Sequence, residues 1–317
     1  MAAAGSRKQG ERAMEEVLKM ERRQGRYAVT ALLVAIACVV AGVTMNLTTI
    51  YDENFDHMGL RTFCMFTVLS NIFAAGTMSM GIPFALESQR RKEYRIPGWV
   101  VVLMLAGTTA VSLTFLISLF VLAPVKGFVL IFTGSRFLLH AICPILAIDA
   151  FCFFVTDYRI SFAQSLLALI PVFLYACLYY VMVVVIGEEN GGWNDFYGFA
   201  TRIPIWIPMA SIMPLTFVIA TVLRALHNRS HDRWQQEEAE LYQTCFARFD
   251  VRDAIRDIAR ARCSAAAVRS DSILVPKGLI ETLVENSGTD CTVEEGCRIY
   301  LDTYIEGREH RRARNRT

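Results

Sequence analysis

The chain has 317 residues, of which 54% are hydrophobic, and a formal net charge of only +2; its mean hydropathy is +0.37. The apolar residues are gathered into long unbroken blocks, which excludes an ordinary soluble globule and points to an all-α polytopic membrane protein. The small net charge, with basic residues placed between the blocks instead of in one stripe, argues against a nucleic-acid partner.

Residues 1–27 read as a cytoplasmic amphipathic segment, with Met14, Val17, Leu18 and Met20 set among Glu15, Glu16, Lys19, Glu21, Arg22 and Arg23. Such a helix lies at the membrane interface and leads into the first span. The long charged start and the full-length apolar block behind it are read as a retained helix rather than a cleaved signal peptide. Six stretches approach or exceed the roughly 20 apolar residues needed to cross a ~30 Å hydrocarbon core. They fall near 28–49, 63–86, 98–121, 136–155, 163–186 and 202–225, so 28–225 is expected to be a six-helix transmembrane domain. Pro83 falls in the second, and Pro204, Pro208 and Pro214 in the sixth.

Basic residues set the expected orientation. Arg7, Lys8, Arg12, Lys19, Arg22, Arg23 and Arg26 precede the first span, Arg90, Arg91, Lys92 and Arg95 follow the second, and Arg159 follows the fourth. The alternate loops hold Arg61 and Lys126 alone, and Asp52, Glu53, Asp56, Glu188, Glu189 and Asp195 make two of them acidic. Both termini are therefore expected in the cytoplasm. Trp99, Trp193, Tyr51 and Tyr197 suit the interfacial aromatic belt. His57, in the first acidic loop, is read as part of a solvated surface.

Residues 226–317 are expected to form a cytoplasmic helical tail. Val251, Ile255 and Ile258 make one apolar stripe among Arg252, Asp253, Arg256 and Asp257. Thr292-Val293-Glu294-Glu295 is a capping box opening a helix that Gly307 is expected to close. The basic end, Arg311 to Arg316, is read as a solvated terminus, and the tail's partner is not specified by its sequence. His227 and His231 stand at metal-compatible spacing, but Asn228, Arg229 and Arg233 around them indicate a solvated helix end. The nine cysteines contain no Cys-x-x-Cys and read as free thiols or small apolar residues. No cofactor and no metal are expected. Asn46-Leu47-Thr48 matches a glycosylation pattern but lies too near a span end, and Asn228-Arg229-Ser230 is expected in the cytoplasm.

The polar residues inside the spans carry the functional signal. Thr67, Ser70 and Asn71 share one face of the second span at i, i+3 and i+4, and an asparagine in hydrocarbon seeks a partner on another helix. His140 in the fourth span is an ionisable group of the kind that marks cavities and sites. Arg136 lies one turn before it, and Asp149 lies deeper, where pairing or protonation is expected. If both spans begin at the outer face, near Phe63 and Ser135, Thr67 is about 6 Å deep and His140 about 7 to 8 Å deep at ~1.5 Å per residue. A threonine hydroxyl within reach of an imidazole is the minimum arrangement for nucleophilic acyl transfer.

Phe66-Thr67-x-x-Ser70-Asn71, Leu139-His140 followed by Pro144, and Gly192-Trp193 with Phe196 resemble, in order and spacing, the six-helix androgen-induced gene family and its bacterial relatives. The resemblance covers roughly residues 28–225, and Ser70-Asn71 is closer to the bacterial branch; the segment after about 226 has no counterpart in it. It implies a transmembrane threonine hydrolase acting on fatty acid esters of hydroxy fatty acids or similar lipids. Thr67 matches the nucleophile and His140 its partner, and the bacterial likeness implies the plasma membrane. Asn71, Ser70, Arg136 and Trp193 are candidates for holding the oxyanion or the substrate. The alternatives are a non-enzymatic membrane protein that binds a lipid or scaffolds a cytoplasmic partner, and a small-molecule transporter.

Overall fold

The computed structural model describes residues 2–48, 59–91, 96–200, 204–246, 251–265, 275–287 and 289–314, and their regular structure is helical with no strand among them. His57 and its acidic neighbours lie outside the described residues, as does Tyr51. Six helices are long and apolar enough to cross a membrane: Arg22–Thr48, Phe66–Glu87, Gly98–Lys126, Gly134–Phe154, Phe162–Ile186 and Trp206–Glu237. The chain is an integral membrane protein of all-α architecture. The second span begins at Phe66 instead of 63, because Gly59–Cys64 forms a tighter 3-10 turn. The sixth begins at Trp206, since Pro204 stops short of it and Pro208 occupies its first turn, where a missing N–H is tolerated; Pro214 lies inside.

The chain separates into two compact units, one of residues 27–84 and 96–228, the other of residues 1–26, 85–95 and 229–317. In the first, the third span is the hub: 78% of its central window is buried, against 11% for the fifth. Small residues allow this. A Cβ on Gly107 would lie 2.7 Å from Thr77 Oγ1 and 2.9 Å from the Ala74 Cα, so the second and third spans meet backbone to backbone. The fifth span instead turns Phe173, Leu174 and Val185 outward, as a lipid-facing helix does.

Prolines shape two spans near the site. Pro124 and Pro144 have no N–H for the carbonyls four residues back, Phe120 and His140. Just before each, the helix widens by one residue into a π turn, Ser118–Leu122 and Leu138–Ile142, with Ala123 N–H donating to Ser118 O and Cys143 N–H to Leu138 O.

One local expectation is overturned here. His227 is fully buried, its ring stacked on Phe151 at 4.6 Å, its Nδ1 3.0 Å from the Phe151 carbonyl and its Nε2 2.8 Å from that of Tyr158. Asn228 clasps both backbone groups of Ile160, accepting from its N–H and donating to its carbonyl, each at 2.9 Å. These residues face the linker between the fourth and fifth spans, on the side of the helix away from Arg229 and Arg233, and are not a solvated end. Asp149 is exposed on the fourth span.

In the second unit, Val251–Ala265, Lys277–Ser287 and Val293–Arg314 pack around Ile255, Ile258, Leu279, Ile280, Tyr300 and Tyr304. The Val251, Ile255, Ile258 stripe is buried as its spacing requires. Thr292 Oγ1 accepts the Glu295 N–H at 3.2 Å and opens the last helix. That helix does not stop at Gly307, where a Cβ would press to 3.0 Å from Cys263 Sγ; the glycine permits a close helix crossing instead of a cap. Arg252 binds Glu295 at 2.8 Å and Asp290 at 3.2 Å. Among the described residues the cysteines form no disulfide and no cluster of three metal-ligating side chains occurs.

Candidate functional site

The start of the second span leaves its first backbone N–H groups without carbonyl partners, as every helix does. Phe66 N–H donates to the hydroxyl of Tyr197, 2.9 Å away, in the loop after the fifth span. Tyr175, in the fifth span, donates its hydroxyl to the Cys64 carbonyl at 2.8 Å. Two phenols thus finish the end of the helix that carries Thr67.

Thr67 is half-buried, with Oγ1 3.4 Å from His140 Nε2. His140 is 8% exposed, and its Nδ1 lies 3.1 Å from the Ile131 carbonyl. A carbonyl only accepts, so Nδ1 carries the proton of the neutral ring and Nε2 is left as the acceptor facing the threonine. That tautomer is the one a general base needs.

The neighbouring polar residues hold this arrangement. Asn71, fully buried, donates its amide to the Thr67 carbonyl at 2.7 Å and to the Leu139 carbonyl at 3.0 Å, tying the second span to the residue before His140. Ser70 bonds the Thr67 carbonyl at 3.1 Å and Thr114 Oγ1 at 3.0 Å, tying the second span to the third. The hydrogens of Asn71 and Ser70 are thus directed to these partners, which tie the second span to the third and fourth. Arg136 is half-buried one turn before His140, at the end of the short helix Gly134–Phe137. Trp193 packs against Tyr175 and Phe196, with centroids 6.5 and 6.3 Å apart, and does not line the cavity beside Thr67. Asn46 spends its amide on Thr62 Oγ1 at 2.6 Å, inside the same end of the bundle, which fits its dismissal as a glycan acceptor.

Thr67 opens onto a cavity of about 60 Å³ walled by Leu113, Ile117, Leu122, Val172 and Ile212 and by the phenols of Tyr175, Tyr179 and Tyr197. At ~10–15 Å³ per water-sized group this is room for about four to six such groups, with no charged side chain in the wall. The phenols are the part that sequence reasoning missed, since Tyr197 reads there as an interfacial anchor. Asp195 fixes their loop by accepting the Phe199 and Ala200 N–H groups at 2.9 Å each and the Tyr179 hydroxyl at 2.5 Å. Gly192 N–H donates to Gly187 O at 2.8 Å and Trp193 N–H to Met182 O at 3.0 Å. Burial pushes the Tyr197 phenol up to about 12, against the hydrogen bond from the Phe66 backbone, which favours its ionised form.

No protein-family model, curated protein or solved structure matches this chain. The chemistry of the site therefore rests on its own geometry: an alcohol, an imidazole in the accepting tautomer and an uncharged apolar cavity beside them.

Proposed function

We propose that this integral membrane protein is a lipid ester hydrolase in which Thr67 is the nucleophile and His140 the general base and then acid. The observation that carries this reading is the 3.4 Å approach of Thr67 Oγ1 to His140 Nε2, with the imidazole tautomer fixed by Ile131 O. Catalytic hydrogen bonds are commonly long before substrate binds and tighten in the complex. The uncharged wall of the cavity suits a fatty acyl chain and offers nothing to a charged group. Fatty acid esters of hydroxy fatty acids and similar lipids are the substrate class that the resemblance to the androgen-induced gene family implies. The distribution of basic residues supports an outer-face site with both termini in the cytoplasm, and the bacterial likeness of the motifs implies the plasma membrane.

In the reaction, Thr67 Oγ attacks the ester carbonyl carbon while its proton passes to His140 Nε2. The carbonyl π pair moves to oxygen and returns as the C–O bond to the leaving alcohol breaks, and that alcohol takes the proton from Nε2. Water then attacks the acyl-threonine with His140 again as base, the acid leaves, and Thr67 recovers its proton.

The test is turnover of long-chain fatty esters by the purified full chain in micelles. Wild type is expected to hydrolyse them, and Thr67→Ala and His140→Ala to lose about 10³-fold or more, as loss of a nucleophile or its base does. Equal turnover in all three proteins would overturn the reading.

A further inference from the structure

Two of the expected oxyanion donors, Asn71 and Ser70, are committed to carbonyls and to Thr114. The loop after the fifth span supplies another donor. We propose that the Tyr197 hydroxyl is the oxyanion donor of the reaction at Thr67, an inference that rests on Thr67 being the nucleophile.

Three observations carry it. First, Tyr197 and Thr67 line the same cavity, and the phenol oxygen accepts the N–H of Phe66, the residue before the nucleophile, at 2.9 Å. Second, the direction of its proton is constrained. A phenol has one proton, and an oxygen that accepts a backbone N–H must send that proton elsewhere. Its other neighbours are the Thr67 hydroxyl and Tyr175. Tyr175 gives its own proton to Cys64 O at 2.8 Å, so it too can only accept from Tyr197. The Tyr197 proton is therefore directed away from the Phe66 N–H, toward Thr67 or the Tyr175 oxygen, both of which line the cavity, and the donated N–H polarises it further. Third, the ring is rigid. It packs on Phe196, Phe199 and Tyr179 with centroids 4.6, 5.3 and 5.5 Å apart, in a turn pinned by Asp195. Donors fixed before reaction, in a site poor in water, are what stabilise charge developing in a transition state.

When Thr67 Oγ bonds to the carbonyl carbon, the carbonyl oxygen gains the π pair and becomes the strongest acceptor beside the phenol. The Tyr197 O–H turns to it, a charge-assisted bond with no proton transferred. Collapse of the tetrahedral species returns the pair to the C=O bond and the phenol proton to Thr67 or Tyr175. The ground state gains nothing comparable, so the contribution falls on kcat and not on KM.

The experiment compares wild type, Thr67→Ala and Tyr197→Phe, all full length, on a long-chain oxoester and its thionoester, whose sulfur is a poor hydrogen-bond acceptor. Tyr197→Phe keeps the packed ring and is expected to lose about 10² to 10³-fold in oxoester kcat with little change in KM. The oxoester to thionoester rate ratio is expected to be large in wild type and to collapse toward one in Tyr197→Phe, which a merely structural role would not produce. Full oxoester kcat in Tyr197→Phe beside an inactive Thr67→Ala would overturn the assignment of Tyr197 and leave the hydrolase reading standing. Turnover that survives Thr67→Ala would overturn both. If Tyr197→Phe does not fold, the wild-type ratio decides: a value near one refutes an oxyanion donor at this site.

Discussion

Replacing Asn71 by leucine separates the stability of the bundle from the geometry of its site. The substitution keeps the volume and removes the amide bond from the second span to the Leu139 carbonyl of the fourth, 3.0 Å long. Between transmembrane helices such a bond is worth on average about 0.6 kcal/mol and at most ~1.7 kcal/mol. Asn71 Oδ1, however, is buried without a hydrogen-bond partner among the described residues, and leaving such a group desolvated costs about 1–3 kcal/mol. The two contributions oppose each other with similar size, so Asn71→Leu is expected to leave thermal stability unchanged or slightly raised. Turnover is expected to fall. The lost bond is one helical turn from Thr67 and adjoins His140, and a misplacement of about 1 Å between reacting groups costs up to ~10²-fold. A melt followed by tryptophan fluorescence and a kcat measurement on the same preparation read both effects. Wild-type kcat at unchanged melting temperature would refute the idea that this clamp sets the Thr67 to His140 distance. A large fall in melting temperature would show that the energetic comparison is wrong.

Three further predictions follow from close contacts and charge. Gly107→Ala drives a methyl into the Ala74 backbone and is expected to destabilise the bundle by about 1–3 kcal/mol, whereas Gly76→Ala, with nothing within 4 Å of the new carbon, is neutral or mildly stabilising; comparative melts check the contrast. Gly192→Ala would place a carbon 2.1 Å from the Met182 carbonyl, so the loop carrying Tyr197 must move: kcat is expected to fall at least 10²-fold while circular dichroism keeps its helical signal. In the other unit, bonds from Arg252 hold the Glu295 carboxyl below its ordinary value. A depressed carboxyl stabilises the fold above its unfolded pKa of about 4.3, and that contribution is lost as pH falls through the lower folded value. Hydrogen exchange over Val251–Ala265 in the full chain is therefore expected to be faster in Glu295→Gln than in wild type at pH 7, with the difference shrinking as pH falls below the unfolded value; a difference independent of pH would contradict the pairing.

The six spans were legible because hydrocarbon thickness and backbone satisfaction leave so few alternatives to about 20 apolar residues in a helix. That Thr67 and His140 could meet followed from counting rises along two spans, and their side chains do lie 3.4 Å apart; the inward face of Asn71 followed from the cost of an amide in lipid. Other features depended on contacts made far along the chain. His227 and Asn228 stand among charged neighbours, and only their register on the sixth span turns them toward Phe151, Tyr158 and Ile160. Tyr197 looks like an interfacial anchor because nothing local links residue 197 to residue 66; the link exists through Asp195, the glycines at 187 and 192, and the end of the second span. Gly307 has the look of a helix stop, yet its role is set by Cys263 on another helix.

The central claim is that His140 makes the Thr67 hydroxyl nucleophilic. Treating the purified chain with a fluorophosphonate probe and mapping the adduct by peptide mass spectrometry tests it most directly. The account predicts phosphonylation at Thr67 in wild type, a loss of at least about 10²-fold in its rate in His140→Ala, and no adduct on that peptide in Thr67→Ala. Labelling of Thr67 at an equal rate with and without the imidazole, or an adduct confined to another residue, would contradict it.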